Sequence, residues 1–244
     1  MSVYGAILAG GTGSRMTNHS IPKQFIELKN KPIIIRTIER MLSSNCFDKL
    51  FIAIHTDYTE YLKDLLKENN IPDNKIYITN GGKERIDSIR NVMKAIKDNG
   101  AEYNDVIITH DAVRPFISKR IIEDSIKAVN EFGACVAVVP AVDTMYVLDN
   151  NEYISSFPDR KTLFNGQAPD SFKFGILDDA LNKLTEEEAK IITGTVQICA
   201  AKGYKIKTIK GDYTNIKITT ENDLSIAEGI LRELETNESL CINK

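Results

Sequence analysis

Directly after the apolar run Tyr4–Leu8, the chain places Gly10, Gly11 and Gly13, then Arg15, Lys23 and Gln24. Glycines at that density let backbone N–H groups come close to a ligand, and phosphate oxygens are what such amides bind. Arg15 and Lys23 would complement a polyanion that the amides alone cannot neutralise. A strand-to-helix turn with no ligand has the same composition. Two other phosphate loops do not fit. Gly13-Ser14-Arg15 stands where a Walker-type loop needs Gly-Lys-Ser/Thr. Met16 stands where a dinucleotide fold needs its third glycine, and no acidic residue is convincingly placed about 20 positions on.

Three further stretches carry groups of the same kind. In HDAVRPF, His110–Phe116, Asp111 precedes Arg114 by one helical turn. An aspartate at a strand end can hold a hydrated Mg²⁺ that in turn holds nucleotide phosphates. The Asp111 and Arg114 pair also reads as a structural ion pair, and His110 fits packing better than catalysis. In GGKERIDSIR, Gly81–Arg90, Gly82 follows a strand and Ser88 lies near a helix start, suited to a base or ribose. Ordinary solvated charges at a helix start read the same way. In YTNIKITTENDL, Tyr213–Leu224, Thr220 and Asp223 have capping-box spacing with Asp for the usual Glu, and Lys217 takes its weight from its neighbours.

The elements that would position these groups alternate strand and helix through the first 140 or so residues. Strands are expected at Tyr4–Leu8, Leu50–His55, Ile76–Thr79, Val106–Thr109 and Cys135–Pro140. Helices are expected from Pro32, over Tyr58–Glu68, Glu84–Lys97 and Lys119–Phe132. Short apolar strands without alternation suit a parallel sheet covered on both faces. Each polar motif follows a strand, where ligands bind in open α/β sheets. From about 141 to 170 the rhythm breaks into a β-hairpin or arm with a turn at Asp149-Asn150-Asn151, a segment suited to oligomerisation or simply solvent-exposed. Helices near Phe174–Leu184 and Glu186–Lys202, a strand at Lys205–Lys210 and a helix from Glu221 to Glu235 close a single domain, 1–236, leaving 237–244 as a flexible tail.

Composition bounds the partners. With 244 residues, 42% hydrophobic and 27% charged, the chain can bury a sizeable core and is not disordered. A net charge of −3 argues against a general nucleic-acid binder. Cys46, Cys135, Cys199 and Cys241 are scattered with no CxxC pair, so reduced thiols are expected rather than zinc. No apolar stretch reaches the roughly 18 residues of a membrane span and none reads as a signal peptide, so a cytoplasmic location without a membrane partner is expected.

Taken together, LAGGTGSRM, PKQF, GGKERIDSI, HDAVRPF, VDT, DR before GQAP, and NIKITTENDL resemble, in order and over nearly the whole chain, the cytidylyltransferases of sugar-alcohol phosphates. The resemblance implies a GT-A-like Rossmannoid nucleotidyltransferase, α/β, with a mostly parallel sheet and a protruding β-arm. It implies CTP and an alditol phosphate as substrates, Mg²⁺ or another divalent cation, and a homodimer through the arm. Leu8, Ala9, Gly10, Gly11 and Gly13 would line the nucleotide site, with Gly82 and Ser88 near cytosine and ribose. Arg15 and Lys23 would grip the triphosphate and Lys217 would reach the α-phosphate. Asp111 would contact ribose or metal and Arg114 the acceptor. Thr144 and Arg160 would come from the other subunit's arm to the acceptor phosphate.

Within that family the chain looks closer to the ribitol-5-phosphate branch than to the 2-C-methyl-D-erythritol 4-phosphate branch. The features are HDAVRPF rather than HDAARP, AVDT without a basic residue before Asp143, and GDYTNIKITT. Ribitol 5-phosphate, giving CDP-ribitol for teichoic acid or capsule synthesis, is therefore the expected acceptor, and methylerythritol phosphate the alternative. Ala168 and Asp170 depart from the Thr and Gln usual in both branches, and Gly194 departs from an Asp, so another alditol phosphate stays open.

Overall fold

The structure, a computed structural model, describes residues 1–10 and 21–242, with side chains as far as residue 236. Five parallel strands form its frame: β1 (Val3–Leu8), β2 (Lys49–Ile54), β3 (Ile76–Asn80), β4 (Val106–Asp111) and β5 (Ala134–Pro140). Four helices join them: α1 (Ile33–Ser43), α2 (Thr59–Glu68), α3 (Arg85–Asp98) and α4 (Lys119–Phe132). These are the expected elements, shifted at their ends by a residue or two.

Side chains of β1 and β2 divide between the sheet's faces as strand geometry requires. Ile7, Leu50 and Ile52 pack with Ile34, Ile38, Leu62 and Ile121 of α1, α2 and α4. Tyr4, Ala6 and Phe51 pack with Ile89, Val92 and Met93 of α3 on the other side. Both faces are covered, which is why these strands read as continuous apolar runs.

After β5 the observed structure differs from expectation. A small hairpin, β6 (Val147–Leu148) and β7 (Ile154–Ser156), forms the arm. Residues 164–170, expected in that arm, belong to β8 (Phe164–Lys173), which lies in the main sheet antiparallel to both β4 and β5. Then come α5 (Phe174–Asn182), α6 (Glu186–Ile191) and α7 (Thr195–Ala201). The single helix expected over Glu186–Lys202 is broken because Gly194, extended at φ −134° and ψ 150°, starts α7 afresh as its N-cap. Strand β9 (Lys207–Lys210) and helix α8 (Glu221–Ile242) follow.

The resulting seven-stranded sheet has the order β3-β2-β1-β4-β8-β5-β9, with β9 parallel to β5. It is a mostly parallel α/β sheet. A third cluster, including Ile26, Leu28, Val113, Phe116, Ile218 and Leu231, packs α8 onto the segments beyond β1 and β4. Among the described residues no helix is long and apolar enough to cross a membrane.

Candidate active site

A cleft opens where the carboxyl ends of β1 and β4 meet the start of α3, lined among others by Ala9, Gly10, Lys23, Arg85, Ser88, Asp111 and Lys217. The end of β1 is fixed from both sides: the Ala9 N–H donates to the Ala53 carbonyl at 2.8 Å and the buried Gln24 Nε2 donates to the Ala9 carbonyl at 2.7 Å. The second bond also places the short helical turn Lys23–Phe25, and with it Lys23, beside the strand end. Gly11, Gly13 and Arg15 lie outside the described residues.

Glycine is required here for close approach. A Cβ on Gly10 would lie 2.9 Å from Ser88 Oγ, and one on Gly82 would lie 1.9 Å from Asp87 Cβ. Ser88, expected near a base or ribose, is buried on the first turn of α3. Its hydroxyl accepts the Gly82 N–H at 3.0 Å and donates to the Glu84 carbonyl at 3.3 Å. It holds the Gly81-Gly82 turn against the cleft wall.

Asp111 is the electrostatic centre. Its carboxylate is 2.9 Å from Arg85 Nη1, 3.1 Å from Arg114 Nε and 3.1 Å from Lys217 Nζ. Burial alone would push this carboxyl up, but Arg85, Lys217 and Arg114 hold it well below the usual carboxylate range. Beside it, burial pushes His110 down to about 4. The neutral ring bonds the Arg114 carbonyl at 3.0 Å, which makes it a packing histidine.

Arg114, expected at the acceptor, is buried. It spends Nε on Asp111 and Nη1 on the Asn215 carbonyl at 2.8 Å, so it braces the turn after β4 against the segment carrying Lys217. Thr144 and Arg160 are on the exposed arm, and neither lines the cleft of its own chain. Thr220 and Asp223 form the expected reciprocal cap: the Thr220 N–H donates to Asp223 Oδ2 at 2.8 Å and the Asp223 N–H donates to Thr220 Oγ1 at 3.3 Å.

Sequence reasoning missed Arg85. Its signal was a cation three residues beyond Gly82 at a helix start, where the side chain can turn back over the glycines. Asp170 was noticed only as a departure. It is buried on β8, and its Oδ2 accepts the Val196 N–H at 3.2 Å, near the N-terminus of α7 whose Gly194 cap has no side chain. Burial pushes its carboxyl up to about 6, against the opposing pull of Arg85.

Mg²⁺ favours one or two carboxylates with the remaining ligands supplied by water and phosphate. At the strand end such an ion would meet Asp111 through the lone pairs that Arg85, Arg114 and Lys217 leave on its carboxylate. Among the described residues no group of three or more His, Cys, Asp or Glu could form an all-protein cage. The arrangement suits binding of a polyanion: glycine-lined backbone on one wall, with Lys23 from the turn after β1, Arg85 from α3 and Lys217 from the 211–217 loop around it.

Comparison with known proteins agrees with this chemistry. The family model described as IspD, 2-C-methyl-D-erythritol 4-phosphate cytidylyltransferase, matches residues 3–233. The Francisella tularensis 2-C-methyl-D-erythritol 4-phosphate cytidylyltransferase is 26% identical and superposes with a TM-score of 0.78, covering 94% of this chain and 100% of its own. The Anaerococcus prevotii 4-diphosphocytidyl-2C-methyl-D-erythritol synthase is 24% identical, with a TM-score of 0.77 over 95% of this chain and 96% of its own. The protein from Thermus thermophilus, at 22% identity and a TM-score of 0.73, covers 95% of this chain and 100% of its own, and shares the fold.

Proposed function

Because this chain belongs to the IspD family of cytidylyltransferases and is thus a CTP-using nucleotidyltransferase, we propose that it joins CTP to 2-C-methyl-D-erythritol 4-phosphate and releases pyrophosphate. The observation that carries the reading is the convergence of Lys217 and Arg85 on Asp111, beside Gly10 and Lys23, at the carboxyl ends of the strands. In the reaction an oxygen of the acceptor phosphate attacks the α-phosphorus. The bond from that phosphorus to the oxygen bridging to the β-phosphate breaks, and that oxygen leaves with pyrophosphate.

The acceptor phosphate is largely a dianion near neutral pH, so the step needs no general base. The barrier lies in bringing two like-charged groups together. Lys217 and Lys23 offset that charge, and Arg85 adds a third donor; Asp111 holds Lys217 and Arg85 in place before the substrates arrive. Ser88, through Gly82, shapes the wall that would face the base. A Mg²⁺ ion, held by Asp111 when bound, would supply further neutralisation of the triphosphate. The acceptor's own site is assigned to the arm of a second copy: Thr144 and Arg160 sit there with exposed Met145, Tyr146, Leu148, Tyr153 and Phe157, a surface suited to a homodimer.

A second acceptor, ribitol 5-phosphate, is favoured by particular residues. Val113 lines the cleft where the methylerythritol branch has alanine, and Val142 rather than a basic residue precedes Asp143. The deciding experiment incubates purified protein with CTP, Mg²⁺ and each acceptor, following pyrophosphate. Methylerythritol phosphate is expected to react the faster. Turnover of ribitol 5-phosphate alone moves the assignment to the second acceptor, and CTP binding with no release from either acceptor makes the chain a nucleotide-binding relative without catalysis.

A further inference from the structure

The 211–217 loop that carries Lys217 is bonded to both roots of the arm. At the outgoing root, the Gly211 N–H donates to the Val138 carbonyl at 2.8 Å and the Tyr213 hydroxyl donates to the Pro140 carbonyl at 3.0 Å. At the returning root, Gln167 on β8 makes a two-way bond: its Nε2 donates to the Asp212 carbonyl at 2.8 Å and its Oε1 accepts the Asp212 N–H at 3.1 Å. One residue further, the fully buried Asn215 donates from Nδ2 to the Ala168 carbonyl at 2.7 Å. The loop lies close against this strand: a Cβ on Gly211 would fall 2.4 Å from Gln167 Oε1.

Past Asn215 the chain is handed to the cleft. The Asn215 carbonyl accepts from Arg114, the Ile218 N–H donates to the Val113 carbonyl at 3.0 Å, and Lys217 between them reaches Asp111. Lys217 thus sits on a loop bonded by a side chain, Gln167, that lies outside the residues lining the cleft. We propose that Gln167 is a positioning residue for Lys217, fixing the 211–217 loop so that the ammonium meets the transferring phosphate, and that Asn215 completes the same splint. This rests on the reading of the cleft as the site of cytidylyl transfer.

The splint also links the arm to the chemistry. Gln167 and Ala168 follow the arm's return within a few residues, so a displacement of the arm's root moves the loop's attachment.

The test is a double-mutant cycle. Gln167→Met keeps the side-chain length and removes both bonds. With Lys217 intact, kcat is expected to fall about 10- to 100-fold, a loss of about 1.4–2.7 kcal/mol, while the Kd for CTP with Mg²⁺ by calorimetry stays within about threefold. In the Lys217→Ala background the same substitution is expected to change kcat less than about twofold. An equal loss in both backgrounds, or a Kd that rises in step with the kcat loss, overturns the proposal. Gln167→Glu keeps the acceptor for the Asp212 N–H and is expected to recover part of kcat. It also serves if the methionine variant does not fold.

A readout independent of turnover separates failure of this inference from failure of the assigned reaction. The ¹³C-methylated Lys217 ammonium, assigned by its loss in Lys217→Arg, is expected to have a shifted NMR signal that moves to the position of exposed lysines in Gln167→Met. An unmoved signal overturns the splint even if the enzyme is inactive on both acceptors. A moved signal sustains it.

Discussion

Asp170→Asn is expected to stabilise the protein at neutral pH and to do little in acid. The carboxyl is buried on β8, and burial pushes it from an ordinary 3.8 up to about 6 despite Arg85 nearby. A group whose folded value is raised binds its proton more tightly when folded. Stability is therefore fully present below about pH 4 and is lost as pH rises through about 6. The span from 3.8 to about 6, at 1.36 kcal/mol for each pH unit, amounts to about 3 kcal/mol. Roughly 1 kcal/mol of this is already lost at about pH 4.5, so about 2 kcal/mol separates that pH from about 7.5. Asparagine has no charge to desolvate, and its Oδ1 can still accept the Val196 N–H. Urea unfolding of both proteins at the two pH values gives the test. The advantage of the variant should grow by about 2 kcal/mol between them, or about 4–8 °C in Tm for a chain of this size. An advantage that does not change with pH would refute the assignment of the cost to a buried carboxylate.

Three further outcomes are expected. Lys23→Ala and Lys217→Ala should each lower kcat by about 10²–10³-fold, as loss of a donor aimed at transition-state charge does; wild-type turnover by either in pyrophosphate release would contradict charge neutralisation as the mechanism. Asp111→Asn leaves Arg85, Arg114 and Lys217 without their shared anion, so urea unfolding near neutral pH should show a loss of about 3–5 kcal/mol. That difference should shrink below about pH 4, because a carboxylate held low contributes its stability above its unfolded value and loses it in acid. Leu148→Asp with Phe157→Ser should convert the proposed homodimer to a monomer in sedimentation while leaving CTP affinity unchanged; a wild-type protein that already sediments as a monomer refutes the dimer.

The frame of the sheet was legible because burial on both faces leaves a simple record. Strands β1, β2 and β4 are apolar runs, and α1 to α4 carry inward faces at helical spacing. Strand β8 left no such record. FNGQAPDSFK contains Gly, Pro and Asp without alternation, and it is a strand because β4 and β5 pair with it on either side, a long-range cause that local pattern does not carry. The cleft was legible where glycines and strand ends coincide, at Gly10, Gly82 and Asp111. Arg85 was not, because a cation in a helix reads as solvated until the fold shows what it faces. Arg114 had two readings in the sequence, an acceptor contact and a structural ion pair with Asp111, and the ion pair is present, with Nη1 on the Asn215 carbonyl beside it.

Pro140 and Phe164 are register partners across β5 and β8, so everything between them leaves and re-enters the sheet at a single point. Such a segment behaves as a cassette. Its length and sequence can change without altering the register of any strand, and longer loops add closure entropy only slowly. Inheritance in such a molecule can be mosaic: residues 141–163 can be exchanged between relatives as one stretch while the strand ends that line the cleft stay where the sheet holds them.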